Sequence, residues 1–200
     1  CNPKNIGYFL LAGLYDGLGI YEVLNLHKSR TKIEYDINGL VKMLIFGRVL
    51  SPDSKIQTFK EKNTYVFDVT SSERLIEAYR TLDVLDEKAC AIQTRMNSKI
   101  QSAVGRNAEV CFYDVTNYQF EIDVEDELRK KGACKRNSRK PLVQMGLLLD
   151  QEALPITYRL FPGNTHDSQT LMPMIRDTRK HYGLGRIVTV ADKAMNSGDN

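Results

Sequence analysis

The sequence has few cysteines, no long apolar run and little excess of either charge. Its four cysteines are scattered and form no CxxC pair, which argues against a disulfide framework or a zinc site. We expect Cys90 and Cys111, which lie in apolar contexts, to be buried free thiols in a reducing, cytoplasmic setting. No apolar run approaches the roughly 18 residues of a membrane span, so no membrane partner is expected. The net charge is +3, so any nucleic-acid interface must rest on local patches.

Familiar catalytic signatures are also missing. The sequence contains no nucleophilic triad, no Walker loop and no Rossmann glycine pattern, so acyl transfer by a triad and nucleotide binding by these motifs are not indicated. The chain begins at Cys1 rather than methionine and stops at Asn200 shortly after a motif. We therefore expect it to be a fragment of a longer protein.

The spacing of apolar residues divides the chain into two predicted domains. Residues 1–105 have helical periodicity, and the period becomes strand-like at Arg106. The first domain is either a plain helical bundle or a DNA-binding and assembly region, because no residue identifies a helix-turn-helix. Three segments resemble helix starts: Asp36, Ser51-Pro52 and the capping-box pattern Thr70-Ser71-Ser72-Glu73.

The second domain, residues 106–200, is predicted to have the order β, β, β, α, β. Strands are expected at about 109–120, 143–149, 156–161 and 186–191, with the helix starting close to 168–170. The first three strands should be antiparallel, and the helical crossover should make the fourth parallel to one of them. The fold class is therefore a mixed α/β protein with an all-helical N-terminal region.

Two aspartates on predicted strands suggest a metal site. Asp114 lies in an apolar row on strand one, where burial of a carboxylate is costly unless it is paired. Asp192 ends strand four. If strand four lies beside strand one, the two carboxylates meet, and a divalent cation relieves their repulsion. Oxygen-only ligands suit Mg²⁺ or Mn²⁺.

A run of basic residues separates strands one and two, and it contains no acidic residue. It is either a solvated loop or, as we expect, a loop that neutralises the phosphates of DNA. Lys193, next to Asp192, could contact phosphate or be a plain surface lysine. The predicted DNA-binding residues are Arg129, Lys130, Lys131, Lys135, Arg136, Arg139, Lys140 and Lys193.

His166 and Asp167 follow strand three and could form a metal pair, although we favour a role in capping or bracing the loop.

Four segments in this order resemble DDE-type insertion-sequence transposases, whose catalytic domain is ribonuclease-H-like. They are Tyr113-Asp114-Val115-Thr116, Gln144-Met145-Gly146-Leu147-Leu148-Leu149-Asp150, Pro162-Gly163-Asn164-Thr165-His166-Asp167 and Val190-Ala191-Asp192-Lys193. The resemblance covers about residues 109–200, and the helical region more loosely. It departs from the family at Ala194, where a glycine is common.

The resemblance implies that Asp114 and Asp192 are the first and second catalytic, metal-binding carboxylates of a partial ribonuclease-H-like unit. It implies a third, a glutamate on a later helix, which this chain does not reach. The expected function is that of a DNA transposase, namely metal-dependent cleavage and strand transfer on double-stranded DNA at the element ends and the target. Residues 1–200 are expected to be a fragment that is inactive alone. A homo-oligomer is compatible with this reading. The alternative is a non-catalytic DNA-binding or assembly module, the remnant of a degraded mobile element.

Overall fold

The computed structural model describes residues 4–132, 140–182 and 188–191. The chain divides into two compact units, Cys1–Ala103 and Val104–Asn200. The first unit is built of helices, and the second carries a four-stranded sheet with a helix. The predicted mixed α/β class, with a helical region before a βββαβ unit, is confirmed.

Helix α3 lies at the centre of the helical unit. Its residues Leu40, Met43 and Phe46 are fully buried, since their helical spacing points them into the packed interior. The helices are α1 (Tyr8–Leu18), α2 (Ile20–Ser29), α3 (Ile37–Leu50), α4 (Lys55–Lys60), α5 (Leu75–Glu87) and α6 (Ala89–Val104), with a 3₁₀ turn at Lys62–Thr64.

One of the three predicted helix starts is confirmed. The Asp36 carboxylate accepts a hydrogen bond from the Gly39 N–H at 2.9 Å and caps α3. The prediction at Ser51-Pro52 is wrong, because α4 begins at Lys55 and is capped by Ser54. The capping box at residues 70–73 is wrong too, because α5 begins at Leu75 with no side-chain cap.

The sheet of the second unit has the order β3-β2-β1-β4. β1 pairs antiparallel with β2 on one side and parallel with β4 on the other, and β2 pairs antiparallel with β3. The elements are β1 (Val110–Gln119), β2 (Leu142–Leu149), β3 (Pro155–Pro162), a 3₁₀ turn at Asp167–Gln169, α7 (Leu171–Tyr182) and β4 (Val188–Ala191).

One face of this sheet is covered by α7. Leu171 and Met174 of α7 pack against Cys111, Tyr113 and Leu148 in the core of the unit. Cys111 is buried as predicted. The prediction for Cys90 is wrong, because that thiol is exposed.

No single helix among residues 4–132, 140–182 and 188–191 is both long and apolar enough to cross a membrane. The adjacent helices Tyr8–Gly17 and Ile20–Ser29 meet the length and composition only as a pair, which is bent by 66°.

A buried ion pair ties the start of the sheet to the β2–β3 turn. The Arg106 guanidinium lies 3.1 Å from the Asp150 carboxylate, and both side chains are almost fully buried. Arg106 also donates to the carbonyl of Pro155 at 3.0 Å. The other oxygen of Asp150 accepts from the N–H groups of Glu152 and Leu154. Asp150 therefore both shapes the turn and balances a buried cation.

Asp150→Asn should destabilise the sheet unit by about 3–5 kcal/mol, because it leaves the buried Arg106 charge without its partner. Urea unfolding followed by far-UV circular dichroism measures the effect. The matched control is Asp177→Asn, since Asp177 pairs with Arg159 while both side chains are about half exposed, and its cost should be at most about 1 kcal/mol. Equal destabilisation in the two variants would contradict the account.

Candidate metal centre and nucleic-acid interface

Asp114 lies in the middle of β1 on the face of the sheet away from α7. It alternates with Tyr113 and Val115, which point to the α7 side, and it is paired with Leu147 of β2. Its side chain is exposed and makes no hydrogen bond or ion pair with any described residue. The carboxylate is therefore free to bind a cation.

The surroundings of Asp114 are apolar, but they are open to solvent. Phe112, Tyr118, Tyr158, Leu160 and Val190 are each between 42% and 48% exposed. The apolar row predicted on strand one is present. Asp114 itself is exposed, so its carboxylate carries no burial cost that a metal would have to offset. We call the exposed surface that these five side chains form with Asp114 the open face.

The second predicted carboxylate, Asp192, lies outside the described residues. β4 is described up to Ala191, which is paired with Tyr113 in the parallel ladder. Asp114 and Asp192 are the residues that directly follow this pair in the sequence. Among the described residues, no group of three or more His, Cys, Asp and Glu side chains could hold a metal ion.

The described part of the basic run is anchored at the end of β1. The N–H and C=O of Lys130 exchange hydrogen bonds with Leu142 at 3.1 and 2.8 Å. Leu142 pairs with Gln119, five residues along β1 from Asp114, so this anchor lies about 17 Å from Asp114 along the strand. Gly163 allows the close approach, because a Cβ there would lie 2.2 Å from the Leu142 carbonyl oxygen.

Two cations of the run are already paired with the acidic segment that precedes it. Arg129 Nε donates to Asp126 at 2.5 Å, and Lys140 Nζ donates to Asp123 at 2.7 Å. These hydrogen bonds lower the pKa of both carboxyl groups, and the bond to Asp123 raises the pKa of Lys140. Lys130 and Lys131 make no ion pair with a described residue. Lys135, Arg136, Arg139 and Lys193 lie outside the described residues.

His166 and Asp167 brace the loop after β3, which is the role favoured from the sequence. The Asp167 carboxylate accepts a hydrogen bond from Gln144 Nε2 at 3.1 Å. The Asp167 carbonyl accepts from the Thr170 hydroxyl at 2.6 Å, and the His166 carbonyl accepts from the Gln169 N–H at 2.8 Å. These contacts fix the start of α7 against β2.

Tyr113, the residue before Asp114, had no role predicted from the sequence. Its side chain is buried on the α7 side, and its ring lies across Gly146 of β2. Burial is the main cause that raises the pKa of its hydroxyl, while the neighbouring Thr170 hydroxyl acts in the opposite direction. The sequence signal for this contact was weak: Tyr113 precedes Asp114, and Gly146 lies in the next predicted strand.

Comparison with known proteins gives a family match and likenesses to solved structures. Residues 106–200 match the family described as "Transposase DDE domain". No curated protein matches the sequence. Two similar solved structures are "Mos1 transposase paired-end complex with left transposon end" and "Crystal structure of a pre-cleavage Mos1 transpososome", each 10% identical in sequence. They cover 82% and 77% of this chain, with TM-scores of 0.31 and 0.26.

This chain spans about half the length of those two chains, 55% and 52% respectively. The family match covers the described sheet, α7 and the segments that carry the resemblance seen in the sequence. The match confirms the resemblance of residues 106–200 to DDE-type transposases that the sequence predicted.

Proposed function

We propose that Asp114 and Asp192 are the first two metal-binding carboxylates of a site that cleaves and joins strands of double-stranded DNA. The observation that carries the proposal is the parallel pairing of β4 with β1, which ends with Tyr113 opposite Ala191. The next residue of each strand is an aspartate, and residues opposite each other in neighbouring strands share a face. Both carboxylates would then project from the open face.

A pair of carboxylates on this face fits Mg²⁺ or Mn²⁺. Asp114 is exposed and unpaired among the described residues, and carboxylate oxygens are the ligands that these hard cations prefer. Two such ions, when bound, stabilise the attacking and leaving oxygens of a phosphodiester. Asp114 and Asp192 are the residues that would hold these ions.

The open face also offers a surface for the later helix that, by the family resemblance, carries the third carboxylate. Exposed apolar side chains such as Phe112 and Leu160 flank Asp114, and a large exposed apolar patch is typical of a surface that another element covers. A later helix that packed here would bring a glutamate beside Asp114. The described residues provide no third acidic ligand, so we expect residues 1–200 alone to bind DNA without cleaving it.

For the basic run, the structure supports a narrower role than the sequence suggested. Lys130 is paired with Leu142 near the carboxyl end of β1, and Lys131 is the next residue. Asp114 lies in the middle of the same strand. Arg129 and Lys140 would have to leave Asp126 and Asp123 before they could contact phosphate. Lys130 and Lys131 are therefore the first candidates for phosphate contacts, with Lys135, Arg136, Arg139 and Lys193 as further proposed contacts.

We also propose residues 1–105 as the DNA-binding or assembly region. The exposed side chains of Phe9, Leu10 and Leu14 in α1 support a role in assembly. We propose the cytoplasm as the compartment in which the protein meets its DNA. Sedimentation of the protein over a range of concentrations distinguishes the two roles. A protein that stays monomeric at all concentrations would contradict the assembly role, and DNA binding would remain as the proposed role of this region.

Cleavage of a labelled duplex that carries the element end tests the carboxylates. In a longer form that supplies the third glutamate, Asp114→Asn and Asp192→Asn should abolish Mg²⁺-dependent cleavage, because the amide keeps the shape and loses the charge. DNA binding should persist in both variants. The matched control is Asp167→Asn, since Asp167 braces the loop and its replacement should spare cleavage more than the replacement of Asp114 does.

Full cleavage by either active-site variant would refute the assignment. Metal-dependent cleavage by residues 1–200 alone would refute the need for a third carboxylate. DNA binding without cleavage by any length of protein would favour the non-catalytic module.

The salt dependence of DNA binding tests the basic run. Lys130→Gln with Lys131→Gln should weaken binding to all sequences alike and should reduce the slope of log K against log salt by about 0.9 for each phosphate that is no longer neutralised. Arg129→Gln with Lys140→Gln is the matched pair, and it should reduce the slope less because those cations are engaged by Asp126 and Asp123. An unchanged slope in both double variants would make the run a merely solvated loop.

A further inference from the structure

Tyr113 and Gly146 meet on the covered face of the sheet, directly beneath Asp114. A Cβ added to Gly146 would lie 2.3 Å from the Tyr113 hydroxyl oxygen and 3.0 Å from two carbons of its ring. Only glycine leaves room for the ring at this place. Gly146 is also the backbone partner of Val115, so both residues that flank Asp114 in β1 meet Gly146.

The ring of Tyr113 is confined on its other sides. Its side chain is 3% exposed and packs among Cys111, Leu148 and Met174 in the core of the unit. Its hydroxyl end lies near Thr170, which is hydrogen-bonded to the Asp167 carbonyl. Closely packed cores transmit strain instead of absorbing it, so a push on this ring would pass to the β1 backbone.

We propose that Tyr113 and Gly146 are positioning residues for Asp114: the ring over Gly146 fixes the β1 backbone so that the Asp114 carboxylate stands where the metal binds. The inference rests on the proposed function of Asp114. The contact acts through the backbone, since neighbouring residues of a strand point to opposite faces. Tyr113 is therefore not a ligand, and its effect reaches the metal only through Asp114.

The size of the contact makes this coupling measurable. Relieving the 2.3 Å approach in Gly146→Ala to an ordinary contact of 3.4 Å requires a movement of about 1 Å. A misplacement of that size at a reacting group can cost on the order of a hundredfold in rate. Groups that orient a metal ligand typically change metal affinity or activity by about tenfold to a hundredfold when they are altered.

The experiment measures Mn²⁺ affinity by electron paramagnetic resonance and Mg²⁺-dependent cleavage of a labelled duplex, both on the proposed longer form that supplies the third glutamate. Gly146→Ala should weaken Mn²⁺ binding and lower the cleavage rate by about tenfold or more, with DNA affinity unchanged. Adding Tyr113→Phe removes the hydroxyl oxygen that makes the shortest contact, and it should restore part of both. Adding Tyr113→Leu instead also removes the ring that holds the β1 backbone, so it should restore less than Tyr113→Phe does.

The matched control is Gly17→Ala, since a Cβ at Gly17 meets no atom within 4 Å, and it should leave Mn²⁺ affinity unchanged. Wild-type Mn²⁺ affinity in Gly146→Ala, or no recovery in either double variant, overturns the inference. If Gly146→Ala does not fold, the single variant Tyr113→Leu tests the inference. It should weaken Mn²⁺ binding, because the β1 backbone is no longer held in place. Unchanged Mn²⁺ affinity in this variant overturns the inference. A wild-type protein that neither binds Mn²⁺ nor cleaves refutes the proposed function instead.

Discussion

The pairing of β1 on both of its edges is the constraint on which the second unit depends. β2 holds β1 in antiparallel register from Phe112 to Gln119, and β4 holds it in parallel register from Val110 to Tyr113. With its register fixed on both sides, the strict alternation of side chains assigns Tyr113 to the core and Asp114 to the open face. A slip by one residue would bury the carboxylate and expose the aromatic ring. The same register gives Gly146 its place under Tyr113.

Local sequence patterns predicted most of the sheet unit because each strand combines β-branched and aromatic residues with clear boundaries. The βββαβ order and the class could be inferred without any tertiary information. Helix starts were predicted less well, and Asp36 shows why. One oxygen of its carboxylate caps α3, and the other accepts a hydrogen bond from the Ser71 N–H at 3.0 Å. This tertiary contact engages the segment that resembled a capping box, so α5 begins later.

Features of the candidate site that depend on residue type could be predicted from the sequence. Contacts between residues that are distant in the sequence could not. Asp114 stands out as an acidic residue on a strand, and Asp192 follows the last described residue of β4 in the sequence. Their role as metal ligands stays a prediction. The ion pairs of Arg129 and Lys140 with the acidic segment depend on how the chain turns back on itself. The contact of Tyr113 with Gly146 depends on the register of two strands separated by more than twenty residues of sequence. Periodicity carries no information about such contacts.

The central claim is that Asp114 stands at a divalent-metal site on the open face. Its most direct test is the broadening of amide NMR signals by Mn²⁺, which falls steeply with distance from the ion. Titration of the isotopically labelled protein should first broaden the signals of residues 113–115 and 191–193. The signals of α7, on the far face of the sheet, should persist longer, and Asp114→Asn should abolish the effect at low Mn²⁺. Broadening centred on His166 and Asp167, or sharp signals around Asp114 throughout, would contradict the account.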